Sequence, residues 1–501
     1  MMNSLDTHAL FAQGRELTLP ATLPVCMAEA PESVVTLTLE QTFRVLPGKR
    51  IVALARWKDE LAVVKIFFAR NRWEQHLARE VEGINLLVDA GLPTPALLGW
   101  GQCLDGASGF VLLEYLADSE SVRTRWEQSD GEARDTLLRE VVTLIARCHG
   151  QGLLQKDLHL DNFLLQGHAL TLLDAAALEQ HAGDADGVDN VNSLRNLALF
   201  FAQFPLRNDP QVPALYAHYR ALRPGAQLSP DAGVLTALLH KKRMARLKLV
   251  MNKLFRETTA NVCEQRWTRF LVHRRELASP GWQAFIANPD VAMAGGVMLK
   301  DGNSSTVVRL EIDGRAVVVK RYNLKTWWHV LKRLFFPTRA WHSWRNAHML
   351  EMLGIGTPAP LVLLEQRCGP LRRVAWFVAD FVEGKDVQSV LQNAVVDSPL
   401  WQQTLAQFQD LFSALREHAI VHGDTKATNF LSSVAGLQVL DLDAMRQELD
   451  ARRFRRASAR DLQRFARNFA AHPEQHQAVQ AMLAKVLLDN DYDIHSQDKG
   501  A

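Results

Sequence analysis

One loop is written twice in this chain. Residues 153–165 read LLQKDLHLDNFLL and residues 420–431 read IVHGDTKATNFL. In each, an Asp is followed five residues later by an Asn: Asp157 and Asn162, then Asp424 and Asn429. Twelve residues beyond each Asn, an Asp ends an apolar run, Asp174 in LTLLDA and Asp441 in LQVLDL. The three pairs share one offset of 267 residues. Polar residues hold a common register over that distance only where the segment carrying them has been duplicated, so the chain is constrained to fold as two copies of one unit.

The surrounding pattern restarts with the loop. TFRVLPGKRIVALAR and ELAVVKIFF read as strands around a Pro47-Gly48 turn, followed by a helical stretch at 73–90 that ends in GLPTP. TVVRLEIDGRAVVVKRY repeats the strand pair, and GIGTPAP at 354–360 answers GLPTPAL at 91–97. Each loop is preceded by an amphipathic helix, with Leu137, Val141, Leu144, Ile145 and Cys148 on one face in the first copy and Trp401, Leu405, Phe408, Phe412 and Leu415 in the second. The Pro- and Gly-rich stretch at 277–296 marks the break. The first domain is therefore expected over 1–278, with an N-terminal extension to about residue 40, and the second over 290–501.

A chain of 501 residues is long enough for two cores. Five cysteines, none in a C-x-x-C pair, argue against a disulfide framework or a zinc site and suit a reducing compartment. The first residues lack the basic and apolar segments of a signal peptide, and no apolar run is long enough to span a bilayer. A cytoplasmic location is expected, with room for peripheral contact on the inner face of a membrane. No nucleic-acid partner is expected, since no basic module of the right kind is present.

The spacing D-x-x-x-x-N followed by an Asp on the next strand is the layout of the protein-kinase fold. Phosphoryl transfer asks for positioning and charge neutralisation more than covalent chemistry. Asp157 and Asp424 are the candidates to orient the acceptor hydroxyl and take its proton. Asn162 and Asp174, and Asn429 and Asp441, offer the oxygen ligands that Mg²⁺ prefers, with ATP as the nucleotide. Lys65 in AVVKIF and Lys320 in VVVKRY sit mid-strand, where a Lys reaches nucleotide phosphates. Glu80, on the following helix, is placed to pair with Lys65, whereas no acidic residue lies between Lys320 and Glu351, and Ser343 stands opposite Glu80. The KDGNSST turn offers Gly302, Ser304 and Ser305 as a phosphate cradle. His159 and Lys426, two residues past each loop Asp, are placed to face the transferring phosphoryl group. Neither copy has an APE-like helix after its metal-site Asp, and DAAAL and DLDAM stand where a DFG would.

With DLHLDNFLL, HGDTKATNFL, VVVKRYN, SWRNAHMLEMLGIGTPAP and GLPTPALLGWG in hand, the chain resembles the lipopolysaccharide kinase family, the Kdo/WaaP-like or InaA-type kinases, over both repeats. The resemblance implies an α+β fold of two tandem protein-kinase-like domains, each with a small β-rich lobe and a helical lobe. It implies ATP-dependent phosphorylation of a heptose or Kdo hydroxyl of the lipopolysaccharide inner core. A small-molecule or protein kinase of the same fold and a pseudokinase scaffold stay open as rivals. Residues 320–345 hold seven Lys/Arg and six Trp/Phe, the composition of a helix lying on an anionic inner-leaflet surface or of one packed on its own domain. A second basic helix at 240–256 reads as a solvated face on a core helix.

Overall fold

The computed structural model describes residues 6–68, 72–181, 187–323 and 336–494. Helices and strands segregate in an α+β arrangement, in two compact units. The first comprises residues up to Gln203 with Pro210–Lys242, and the second comprises Phe204–Asp209 with the chain from Arg243 onward.

In the first unit a short helix α1 (Thr7–Ala12) precedes six strands: β1 (Ala21–Met27), β2 (Ala30–Leu46), β3 (Arg50–Trp57), β4 (Glu60–Phe67), β5 (Leu97–Cys103) and β6 (Gly109–Glu114). They close into a barrel in the order β1-β2-β3-β4-β6-β5, with β1 returning to pair antiparallel with β5. Residues 21–40, the lead to which the sequence assigned no strands, are thus part of the barrel, and β2 runs on into the strand expected from Thr42. Val25, Leu37, Leu39, Ile51, Val64, Ile66 and Leu112 fill the barrel. Strand alternation then turns Lys65 to the outside, toward helix α2 (Trp73–Asp89).

The rest of this unit is a helical layer with short hairpins. Strand β7 (Glu120–Ser121) leads into α3 (Val122–Gln128) and α4 (Gly131–Gly150). Then come β8 (Leu153–Gln155), β9 (Phe163–Gln166), β10 (Ala169–Leu172), β11 (Leu178–Gln180), α5 (Asn190–Phe201) and α6 (Val212–Ala221). The division between units falls within α7 (Gly233–Lys253).

The second unit opens on β12 (Asn261–Gln265) and β13 (Arg269–Arg274). These two strands belong to its sheet, because β13 pairs with β17 (Pro360–Cys368), so the boundary lies upstream of the Pro- and Gly-rich stretch. Those prolines do not mark a linker. Pro280 and Pro289 begin two short helices, α8 (Pro280–Ala287) and α9 (Pro289–Ala294), at the position where a missing N–H costs nothing. The sheet runs β12-β13-β17-β18-β16-β15-β14 and is antiparallel where it pairs. Its other strands are β14 (Val297–Gly302), β15 (Ser305–Ile312), β16 (Arg315–Tyr322) and β18 (Leu371–Asp380). Val317 and Val319 on one face of β16 pack against Trp282, Phe285 and Met293, which leaves Val318, Lys320 and Tyr322 on the other.

That other face meets α10 (Arg339–Leu353), followed by β19 (Lys385–Asp386), α11 (Val387–Gln392), α12 (Pro399–Glu417), β20 (Ile420–Val421), β21 (Phe430–Ser433), β22 (Gly436–Val439) and β23 (Arg446–Gln447). Helices α13 (Ala451–Arg467) and α14 (Pro473–Ile494) complete the unit. Trp344, Trp401, Phe408, Phe430 and Phe465 are fully buried between these elements. The basic helix α7 sends Leu247 and Met251 into this core, as a core helix with a solvated face does.

The aromatic and basic stretch at 320–345 divides in two. Trp327, Trp328, Val330, Leu331, Lys332, Arg333, Leu334 and Phe335 lie outside the described residues. Downstream, Trp344 is buried and Trp341 stacks on Phe255 at 4.5 Å, while Phe336 is exposed. Among the described residues, no helix is long and apolar enough to cross a membrane.

Candidate functional site

The duplicated loops adopt the same local structure. In the first unit the Asn162 side-chain amide donates to the Asp157 carbonyl at 2.5 Å, and in the second Asn429 donates to that of Asp424 at 2.8 Å. The Leu173 N–H returns to the Asn162 carbonyl at 2.7 Å, matched by Leu440 on Asn429 at 2.8 Å. Hairpins β9–β10 and β21–β22 follow, and they deliver Asp174 and Asp441 with φ of 60° and 55°. This left-handed conformation is uncommon for a residue other than glycine and turns each carboxylate back toward its loop.

In the second unit Asn429 and Asp441, but not Asp424, border a cavity of about 550 Å³ between the sheet and the hairpin. Its wall is largely apolar, with Val307, Val318, Phe377 and Leu431, and Lys320, Asn429 and Asp441 converge at one side. Size and lining are those of a small-molecule site with a few placed polar groups. Lys320 is hydrogen-bonded to Asp441 and lies 3.6 Å from Asp443. Burial weighs against the Lys320 ammonium, but Tyr322, Asp441 and Asp443 outweigh it and raise its pKa. Burial likewise opposes the Asp441 carboxylate, yet Lys320, with Arg339 and Lys300 further away, holds it below the usual range. Both groups are charged at neutral pH.

The missing acidic partner of Lys320 is thereby explained. Helix α10 presents Ser343 where α2 presents Glu80, and Ser343 bonds the Tyr322 hydroxyl at 2.7 Å. The carboxylate comes instead from Asp443, two residues past Asp441 and itself anchored by Arg339 at 2.5 Å. The first unit has the reverse arrangement, since Lys65 is hydrogen-bonded to the buried Glu80, as expected, while Ala176 stands where Asp443 would. The same exchange runs along the helix. Gly83 packs against the Ala175 backbone so closely that a Cβ would meet its carbonyl at 2.0 Å, whereas Asn346 in the second unit ties the same turn by donating to Leu442 and Met445 at 2.8 and 2.7 Å.

The first unit differs in what surrounds its Asp174. Lys65 lies 3.6 Å from that carboxylate and Arg50 3.4 Å. By strand register Arg50 occupies the place of Ser305, each standing opposite the residue two beyond the site lysine. Two cations thus crowd Asp174.

Gly302, Ser304 and Ser305 form the β14–β15 hairpin tip, which Asn323 ties down through the Gly302 carbonyl at 3.3 Å. They do not line the cavity, whereas the neighbouring Lys300 does. His159 sits between Asp157 and Asp161 at 3.7 and 3.4 Å. Burial alone would lower its pKa, but the two flanking carboxylates raise it to about 9. Asp161, beside His159 and hydrogen-bonded to Arg123, falls to about 2. Lys426 is more exposed and lies 3.7 Å from Asp424.

Asp461 on α13 escaped the sequence reading. Its carboxylate accepts the backbone N–H groups of His422 and Gly423 at 2.8 and 3.0 Å and so fixes the loop that carries Asp424. Burial raises its pKa, opposed by those two bonds. His422 is buried and held neutral by that burial. It accepts from the Asp424 N–H at 3.3 Å, and Nε2–H donates to Leu440. The available signal was an Asp on the apolar face of an otherwise basic helix. In the first unit Gln155 replaces His422, and Asn196 donates to its carbonyl at 2.8 Å.

A lysine on a sheet, a carboxylate at the end of a hairpin and the Asn of the Asp–Asn loop thus come together at one cavity. Residues 296–486 match the model of the lipopolysaccharide kinase (Kdo/WaaP) family, which supports that family for this part of the chain. The members of that family are lipopolysaccharide kinases, that is, phosphotransferases. No curated protein matches the chain.

Proposed function

We propose that the chain is a cytoplasmic, ATP- and Mg²⁺-dependent kinase built of two tandem protein-kinase-like domains. It phosphorylates a heptose or Kdo hydroxyl of the lipopolysaccharide inner core, working peripherally at the inner face of the inner membrane. The observation that carries the reading is the convergence of Lys320, Asn429 and Asp441 on one wall of the 550 Å³ cavity, beside the loop of Asp424.

In this reading Lys320 holds the nucleotide phosphates, aimed by Asp441 and Asp443, and the apolar wall takes the base. Asp424 orients the acceptor hydroxyl and takes its proton as the phosphoryl group arrives. Asn429 gives its N–H groups to the loop, which leaves its amide oxygen as a donor beside the Asp441 carboxylate. Both are hard oxygen ligands on the cavity wall, and this set fits Mg²⁺. The metal, when bound, neutralises the charge of the phosphates.

Turnover is assigned to the second unit. In the first, a second cation, Arg50, joins Lys65 on Asp174, the carboxylate meant for the metal, whereas in the second Ser305 holds the place of Arg50 by strand register. The first unit then acts as a scaffold or as a second nucleotide site. The test is incubation of the full chain with labelled ATP, Mg²⁺ and lipopolysaccharide core. Label is expected on the glycolipid, and its absence with every acceptor of the class would reject the assignment.

A further inference from the structure

Helix α13 carries seven cations in seventeen residues, all of them arginine and all exposed. Arg453, Arg456, Arg460, Arg464 and Arg467 recur every three or four residues and form one stripe, about 21 Å long at the rise of an α-helix. Arg452 and Arg455 flank it. The opposite face buries Phe454, Leu462 and Phe465. An ordinary solvated face mixes signs, because like charges one turn apart oppose the helix. Here the acids of the helix region are already engaged, Asp450 in capping the first turn and Asp461 in holding the loop amides. Among the described residues, the ion pair recorded for the stripe is Arg464 with Asp424, at 2.7 Å. The stripe therefore ends on the candidate catalytic aspartate. Helix α5, which follows the same hairpins in the first unit, carries a single arginine, Arg195.

From this we infer that the arginine face of α13 is the docking surface for the polyanionic part of the acceptor, a glycolipid carrying several phosphate or carboxylate groups. The inference rests on the kinase reading of the second unit and adds the chemistry of its acceptor. Guanidinium groups meet phosphate and carboxylate through paired N–H donors, which explains the use of arginine throughout. A glycolipid seated along the stripe brings its anions onto Arg453, Arg456 and Arg460, with Arg464 at the near end. The next sugar hydroxyl then falls at Asp424. Binding of the anions also relieves the repulsion along the helix.

The test compares the wild type with Arg453→Gln/Arg456→Gln/Arg460→Gln, using deep-rough lipopolysaccharide in detergent micelles, intact or dephosphorylated, as acceptor. The KM for intact acceptor should rise on the order of tenfold in the variant while kcat holds, as loss of uniform binding requires. Its salt dependence should flatten, because fewer exposed charges remain to be screened. The dephosphorylated acceptor should discriminate less between the two proteins. A triple Arg→Lys variant should fall between them, and thermal midpoints confirm that all are folded. An unchanged KM in an active, folded triple variant overturns the inference and leaves the kinase reading intact; no transfer by the wild type rejects that reading itself. Loss of binding to phosphatidylglycerol vesicles without any change in acceptor KM would assign the stripe to the membrane and also overturn the inference.

Discussion

Replacing Asp443 by Ala should weaken nucleotide binding in the second unit, and by an amount that follows from the geometry. Its carboxylate lies 3.6 Å from the Lys320 ammonium, with the two side chains 8% and 16% exposed. At an effective dielectric of about 20 the gross attraction is about 4–5 kcal/mol. Desolvation of the pair offsets much of this, and Asp441 still holds Lys320 in the variant. A net loss of about 1–2 kcal/mol remains, or roughly 5- to 30-fold in ATP affinity. Arg339 also loses its partner, but at 35% exposure that pair contributes little. The assay is calorimetric titration of ATP and Mg²⁺ in a Lys65→Met background, which confines the reading to one site. Adding Ser343→Glu should restore affinity, because that position matches Glu80 in the first unit. Tyr322→Phe should accompany it, since Tyr322 would lose its Ser343 partner. An affinity within twofold of the parent for Asp443→Ala, or no recovery in the rescued variant, would refute the idea that this carboxylate aims Lys320.

Asp424→Asn should lower turnover by orders of magnitude and Asp157→Asn only modestly, read from initial rates; the reverse ranking would place catalysis in the first unit. His159 has a pKa raised to about 9 in the folded protein, above its ordinary 6.5, so its contribution to stability is full below about pH 6.5 and fades as pH rises through 9. The thermal midpoint of the first unit's transition should fall over that window in the wild type, and His159→Gln should flatten the fall. Asp461→Ala leaves the buried His422 N–H and the part-buried Gly423 N–H without an acceptor, at about 1–3 kcal/mol each. The second unit's midpoint should drop accordingly, and activity with it; a midpoint shift under one degree would deny Asp461 its anchoring role.

The repeat itself was legible because polar residues in a loop keep register only under constraint, and the loop geometry follows the Asp–Asn spacing closely in both copies. The Lys65–Glu80 pair was readable from the helix after the strand, and so was the absence of its counterpart. What replaced that counterpart was not. Asp443 sits in a turn, where sequence offers no periodicity to say that it points at a lysine more than a hundred residues earlier. The boundary between units was misplaced for a related reason. Pro280 and Pro289 look like breakers in sequence, but each sits at the first turn of a helix, and the short strands β12 and β13 are defined by pairing with β17. Strand β1 and the first part of β2 were missed because only the closing partner β5 shows them to be part of a barrel. The arginines of α13 were in plain view, yet their significance depends on Arg464 meeting Asp424.

The most direct measurement is phosphate transfer itself. Purified full-length protein, Mg²⁺ and γ-labelled ATP are combined with inner-core lipopolysaccharide stripped of its phosphates, and the product is resolved by mass spectrometry. The account predicts a gain of one phosphate on a heptose or Kdo hydroxyl with the wild type, and no gain with Asp424→Asn. Equal phosphorylation by the wild type and Asp424→Asn, or none by the wild type while ATP is still hydrolysed, would contradict it.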